Sequence, residues 1–302
     1  MRRLAVPAGE TFAPAKVNLA LHVVGRRPDG YHLLDSLVVF SDAAGDRLSL
    51  AEADGEADGL TIHGRFAHGL PTGPENILLK TLAFARARLA ESDLALPPLA
   101  LRLEKRLPVA AGIGGGSADA AALLRSLMQL APPDAFDRLA SRAVELGADV
   151  PMCLDGRPAR VSGIGEIIAP LAGLPTLPLL LVNPGVAVST PAVFAALRRR
   201  DNPPLPPIPA EGFPDPAAVA DWLGATRNDM ETPALSIAPE IADVGRRLLD
   251  EGAMIARMSG SGATVFAIFG SDDAMLSARR RIAADRPRWW LSGEDPAARS
   301  PA

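Results

Sequence analysis

A single cysteine in 302 residues, Cys153, excludes an intrachain disulfide and any metal site built on a cluster of cysteines. The four histidines, His22, His32, His63 and His68, lack metal-ligand spacing. No apolar run approaches the roughly 20 residues that span a bilayer. Pro7, Gly9 and Glu10 interrupt any signal-peptide core near the start, so a cytoplasmic protein with no membrane partner is expected. A net charge of −4 supplies no basic field, which sets nucleic acid aside as a partner. Lysine and tyrosine are scarce as well. Only Lys16, Lys80 and Lys105 are lysines among 31 basic residues, so each stands where a strong arginine bias has not replaced it. Tyr31 is the one tyrosine.

What is present suits a globular chain with a sizeable core: 48% of residues are apolar and 22% charged. The length predicts two domains, divided into 1–160 and 161–302. Strict alternation over 16–24 predicts a half-buried strand with Val17, Leu19, Leu21 and Val23 on one face. Further strands are expected at 33–40, 46–51 and 99–103, and helices at 77–89, 118–130 and 136–146. The segment 149–154 reads as buried. A hairpin over 161–171, a strand at 177–182 and a helix at 191–199 follow. Seven prolines between Asp201 and Pro216 predict an extended surface loop. The last third alternates helix 239–251, strands 254–258 and 263–269, helix 273–284 and strand 288–291, which is α+β packing around an antiparallel sheet. The polar tail 292–302 is expected to fray.

The strongest chemical signal is Pro108-Val109-Ala110-Ala111-Gly112-Ile113-Gly114-Gly115-Gly116-Ser117-Ala118, which runs straight into an apolar helix. Its glycines let backbone N–H groups approach a ligand with no Cβ in the way. Ser117 stands where an N-cap belongs, and the helix start adds partial positive charge. Together these make an anion cradle suited to a polyphosphate. A P-loop is excluded, because none of the three lysines follows a glycine. The Rossmann fingerprint fails too, since Ser117 occupies the place of its third glycine.

The segment Pro108–Ala118 resembles the phosphate-binding motif of the GHMP kinase superfamily, which includes galactokinase, homoserine kinase and mevalonate kinase. Three blocks carry the resemblance in order: Ala13–Leu19 with Asp29–His32, the glycine-rich loop with Gly147–Pro151, and Arg257–Ala263. Asn183–Val186 and Arg227–Asp229 fit as well. The resemblance implies a two-domain α+β fold, with an N-terminal ribosomal-S5-like ATP domain and a C-terminal ferredoxin-like domain built on an antiparallel sheet. It implies ATP and Mg2+ as cofactors. Within the superfamily the chain is most similar to the branch whose acceptor is a cytidine diphosphate-linked methylerythritol, phosphorylated on its 2-hydroxyl. A monomer or weak homodimer is expected.

On this resemblance Lys16 and Asp149 carry the transfer, Lys16 by contacting the acceptor hydroxyl and the γ-phosphate, Asp149 by taking the hydroxyl proton. From the bare residues, Lys16 could equally snorkel at a strand start and Asp149 could be a cap. Residues 108–118 hold the nucleotide. Tyr31 and Phe194 sandwich the cytosine, His32 hydrogen-bonds its edge, and Asn18 and Thr190 contact the acceptor. Ser259, Gly260 and Ser261 brace the site. Ser117 is the candidate metal ligand, while Asp119 is explained as well by charge pairing at the helix N-terminus. The competing readings are a homoserine- or mevalonate-type kinase and a nucleotide-binding regulator without turnover.

Overall fold

The computed structural model describes residues 1–130 and 132–293. A short strand β1 (Arg2–Arg3) precedes two long ones, β2 (Gly9–Arg26) and β3 (His32–Glu52), joined by the turn at Pro28–Gly30. Next come β4 (Gly59–His63), α1 (Ile77–Ala90), β5 (Leu94–Ala95), β6 (Leu99–Glu104), α2 (Gly115–Met128) and α3 (Pro133–Ser141). A 3-10 turn over Ala143–Leu146 leads to α4 (Val150–Asp155), then β7 (Ala159–Gly163), β8 (Ile167–Pro170) and β9 (Leu179–Asn183). The chain ends with α5 (Thr190–Ala196), α6 (Pro216–Gly224), α7 (Glu231–Ile237), α8 (Glu240–Asp250), β10 (Ile255–Met258), β11 (Val265–Ile268), α9 (Asp272–Asp285) and β12 (Trp290–Leu291).

The elements fall into two compact units, each discontinuous in sequence. The first comprises Met1–Ala15, Gly45–Leu107 and Gly114–Gly156; the second comprises Lys16–Ala44, Pro108–Ile113 and the chain from Arg157 onward. In the first unit β6 lies between the end of β3, antiparallel to it with Arg47 opposite Glu104, and β4, parallel to it with Gly59 opposite Ala100. Asn76 starts α1 by accepting the Leu78 N–H at 2.9 Å. Ala120, Ala121, Ala122, Leu123 and Leu124 are all buried, so α2 is a central helix covered on nearly every side. In the second unit the first part of β3 pairs with β7, and β7 with β8. A separate antiparallel sheet runs β10-β11-β9-β12, and α8 and α9 cover it through Ile241, Val244, Leu248 and Ile282.

Several elements differ from the sequence expectation. The strand read as half-buried over 16–24 is buried from Ala15 to Val23, its polar positions Lys16, Asn18 and His22 included. The strands read at 33–40 and 46–51 are one, because Gly45 does not break β3: a Cβ there would lie 2.6 Å from the Ala13 carbonyl, so the glycine admits β2. Helix α3 starts at Pro133 and stops at Ser141, leaving a 3-10 turn where 136–146 was expected to be one helix. The proline-rich stretch ends at Asp215, which caps α6 by accepting the Ala218 N–H at 2.8 Å, with Pro216 in the first turn. The expected fraying at 292 is corrected by Ser292, buried and bonded through both its backbone N–H and its hydroxyl to Leu181; residues 294–302 lie outside the described residues. No helix among the described residues is long and apolar enough to cross a membrane.

Candidate active site

In the first unit the site is built on the start of α2. Gly114 adopts a left-handed conformation (φ 65°, ψ 23°) and turns the chain into the helix at Gly115. The helix therefore begins three residues earlier than expected. Ser117 is inside its first turn and is not the N-cap, and no side chain caps this end. The first N–H groups of a helix have no intrahelical partner, so this end presents open donors and the positive end of the dipole.

Directly behind these donors is a buried ionic cluster. Lys105 Nζ donates to Asp46 Oδ2 at 2.5 Å and to Asp119 Oδ2 at 2.8 Å. Asp46 Oδ1 accepts the backbone N–H groups of Arg106 and Leu107, at 2.6 and 2.8 Å. One ammonium thus fastens the strand–loop junction at 105–107 to the first turns of α2. Burial opposes the charge on Lys105, but the Asp119 and Asp46 carboxylates more than offset it, and its pKa is raised. Burial pushes Asp119 up to about 7, against the pull of Lys105 and with the help of Asp46. Asp119 Oδ1 is buried without a partner. A Cβ on Gly115 would lie 3.1 Å from Lys105 Nζ.

Asp149 is the N-cap residue of α4 and is half-buried; its side chain makes no cap bond, while its carbonyl accepts the Cys153 N–H at 3.1 Å. From α2, Arg125 donates to the Cys153 carbonyl at 2.6 Å and to the Phe12 carbonyl at 3.3 Å, tying α4 in place. Burial lowers the Arg125 pKa.

In the second unit β2 carries Lys16 and Asn18 two positions apart, hence on one face. Lys16 Nζ donates to Asn18 Oδ1 at 2.8 Å; Asn18 Nδ2 donates to Ser36 Oγ at 2.7 Å, and Ser36 Oγ to the Ala20 carbonyl at 2.6 Å. The Asn18 N–H reaches Ser259 Oγ at 3.0 Å, and Ser259 Oγ donates to the Gly112 carbonyl at 3.0 Å. Ser259 thereby links β2 to the glycine-rich loop, whose Ile113 carbonyl accepts the Lys16 N–H at 3.0 Å. Gly112 (φ 73°) abuts the Ser259–Gly262 turn: a Cβ on it would overlap the Ser259 carbonyl and lie 2.7 Å from the Gly262 nitrogen. Asn228 holds that turn from behind, its Nδ2 donating to the Met258 and Gly260 carbonyls at 2.8 Å each. Thr190 Oγ1 is 2.7 Å from Ser261 Oγ.

The same unit brings His32 and Phe194 together. Their rings stack with centroids 4.6 Å apart and planes 18° apart, and His32 Nε2 is buried without a partner. Burial lowers the His32 pKa, and the charges of Arg200 and Arg26 lower it further. Tyr31, in the adjoining turn, is 58% exposed. Lys16 and Asp149 belong to different units.

The four glycines of the loop do different work. Gly112 makes room for another turn of the protein, Gly114 supplies the left-handed bend and Gly115 clears Lys105, whereas the nearest atom to a Cβ on Gly116 is Ile77 Cγ2 at 3.9 Å. Sequence reasoning missed the Asp46–Lys105–Asp119 cluster, although the scarcity of lysine pointed at Lys105. It also missed the bracing role of Asn228.

A helix start opened by glycines in one unit and a strand carrying a buried lysine in the other, on an α+β fold, are the features of a GHMP kinase, and the chain is one. Residues 76–157 match the family model for the GHMP kinases N terminal domain, and residues 210–286 the model for the GHMP kinases C terminal. The chain is 52% identical over 288 residues to the 4-diphosphocytidyl-2-C-methyl-D-erythritol kinase of Paracoccus denitrificans, covering 94% of this chain and 96% of that protein. A crystal structure of 4-(cytidine 5'-diphospho)-2C-methyl-D-erythritol kinase superposes with a TM-score of 0.73 at 34% identity, covering 95% of this chain and all of that one. A homoserine kinase from Cytophaga hutchinsonii, 20% identical over 94% of each chain, shares the fold with a TM-score of 0.62. The chain belongs to the 4-diphosphocytidyl-2-C-methyl-D-erythritol kinase family.

Proposed function

We propose that the protein transfers the γ-phosphate of ATP to the 2-hydroxyl of 4-diphosphocytidyl-2-C-methyl-D-erythritol, giving ADP and the 2-phosphate for non-mevalonate isoprenoid precursor synthesis. The observation that carries this reading is the 52% identity to a kinase of that name across 94% of the chain. The open helix start of α2 and the buried Lys16–Asn18 pair support it.

In this reading the acceptor oxygen attacks the γ-phosphorus, the bond to the β–γ bridging oxygen breaks, and ADP leaves. Asp149 takes the hydroxyl proton, and Lys16, aimed by Asn18, offsets the charge that develops on the transferring oxygens. Residues 108–118 hold the phosphates. Tyr31 and Phe194 take the cytosine, with His32 at its edge, and Thr190 contacts the acceptor. Among the described residues no three His, Cys, Asp or Glu side chains cluster as a metal cage. Mg2+ would arrive with ATP and be held mainly through the substrate phosphates, with Ser117 the candidate protein oxygen. When bound it neutralises phosphate charge. The reading includes an ATP-binding part in 1–160, an acceptor-binding part in 161–302, a cytoplasmic location, and a monomer or weak homodimer.

The test is phosphorus NMR of the product made from ATP and the cytidylated acceptor. A new phosphomonoester on the 2-carbon is expected; an unchanged acceptor overturns the reading.

A further inference from the structure

Arg26 and Arg200, whose charges act on His32 of the His32–Phe194 stack, have no ion-pair partner among the described residues, and the local sequence shows why. In the turn after β2, Asp29 pairs with Arg27 at 2.6 Å, leaving Arg26 with only a weak bond from its Nε to the Gly30 carbonyl at 3.3 Å. In the segment after α5, Asp201 pairs with Arg199 at 3.2 Å, and the Nε of Arg200 is buried with no partner. Each nearby carboxylate is thus spent on one arginine while the next faces none. His32 Nε2 is a second buried donor or acceptor without a partner. The charges felt by His32 are those of Arg200 and Arg26, with no carboxylate among them. The buried Arg200 nitrogen left unpaired is costly, and Arg200 and the exposed Arg26, two cations without a carboxylate partner whose charges reach a ring of the stack, favour a ligand that is both flat and anionic.

We propose that Arg26 and Arg200 form the anion-recognising arm of the acceptor site, binding the diphosphate of a cytidine nucleotide while the neighbouring rings take its base. This rests on the function proposed above. It makes these two arginines specificity-determining residues that separate a nucleoside diphosphate from an uncharged nucleoside.

The experiment measures the affinities of CDP and of cytidine for the wild-type chain and for Arg26→Gln, Arg200→Gln and Arg200→Lys. Wild type is expected to bind CDP more tightly than cytidine. Each Gln variant should weaken CDP by about tenfold while moving cytidine by less than about twofold, with Arg200→Lys retaining most of the preference. Equal weakening of both ligands assigns the arginines a structural role and overturns the inference, as does an unchanged CDP affinity. If wild type binds neither ligand, the cytidine reading itself fails, and the wild-type measurement alone shows it.

Discussion

Gly112 and Ser259 are joined backbone to side chain, the serine hydroxyl donating to the glycine carbonyl at 3.0 Å while the Ser259 carbonyl fills the space a Cβ on Gly112 would need. The phosphate loop and the Ser259–Gly262 turn are therefore one packed object. Two glycines of the same motif should respond differently to alanine. Gly112→Ala forces a side chain into a left-handed backbone and into the turn, and should cost about 2 kcal/mol or more. Gly116→Ala meets nothing closer than 3.9 Å and should leave stability unchanged or raised by up to about 0.5 kcal/mol, while raising the KM for ATP. Urea unfolding together with initial-rate kinetics reads both effects.

The buried cluster behind the helix start makes a second prediction. Lys105→Met leaves Asp46 and Asp119 facing each other without their ammonium and should destabilise the protein by about 3–5 kcal/mol. Asp119→Asn keeps a neutral acceptor for Lys105 and should be far milder. Because the folded pKa of Asp119 lies above its ordinary 3.8, at about 7, its contribution is full below 3.8 and is lost as pH rises through 7. Asp119→Asn should therefore gain on wild type between pH 4 and 7, as melting curves across that range would show. Equal slopes for both proteins contradict the assignment.

How far the sequence revealed this site depends on distance along the chain. Lys16 and Asn18 are two residues apart on a strand, and their pairing could be read from alternation. The partners of Lys105 could not: Asp46 is 59 residues away and Asp119 lies in the next helix. Gly112 looked like a ligand-facing glycine, because no local pattern announces a turn 147 residues later packing against it. Helix α7, seven residues long with Pro233 near its start, is too short to show a period. Helix α6 was not expected either, because Asp215 and Pro216, which start it, close a proline run that reads as loop.

Transfer chemistry gives a third prediction. Lys16→Met and Asp149→Asn should each lower kcat by on the order of 10²–10³ while leaving the KM for ATP nearly unchanged. A variant with near-wild-type kcat removes that residue from the mechanism.

The lowered pKa of His32 predicts a neutral imidazole at pH 7, since burial, then Arg200 and Arg26, all disfavour its charge. A depressed histidine contributes stability above its ordinary 6.5 that is lost as pH falls through the folded value. The KM for the acceptor should accordingly be flat from pH 8 to 6.5. In Arg200→Gln the imidazole should titrate at higher pH, by NMR, because one opposing charge is gone. A shift to lower pH contradicts the placement of Arg200.

ADP release with magnesium-ATP reports the transfer itself. The assay offers 4-diphosphocytidyl-2-C-methyl-D-erythritol, homoserine, mevalonate and galactose as acceptors in parallel. ADP formed with the cytidylated acceptor and with none of the others is the predicted result. ADP formed with another acceptor, or with none while ATP still binds, contradicts it.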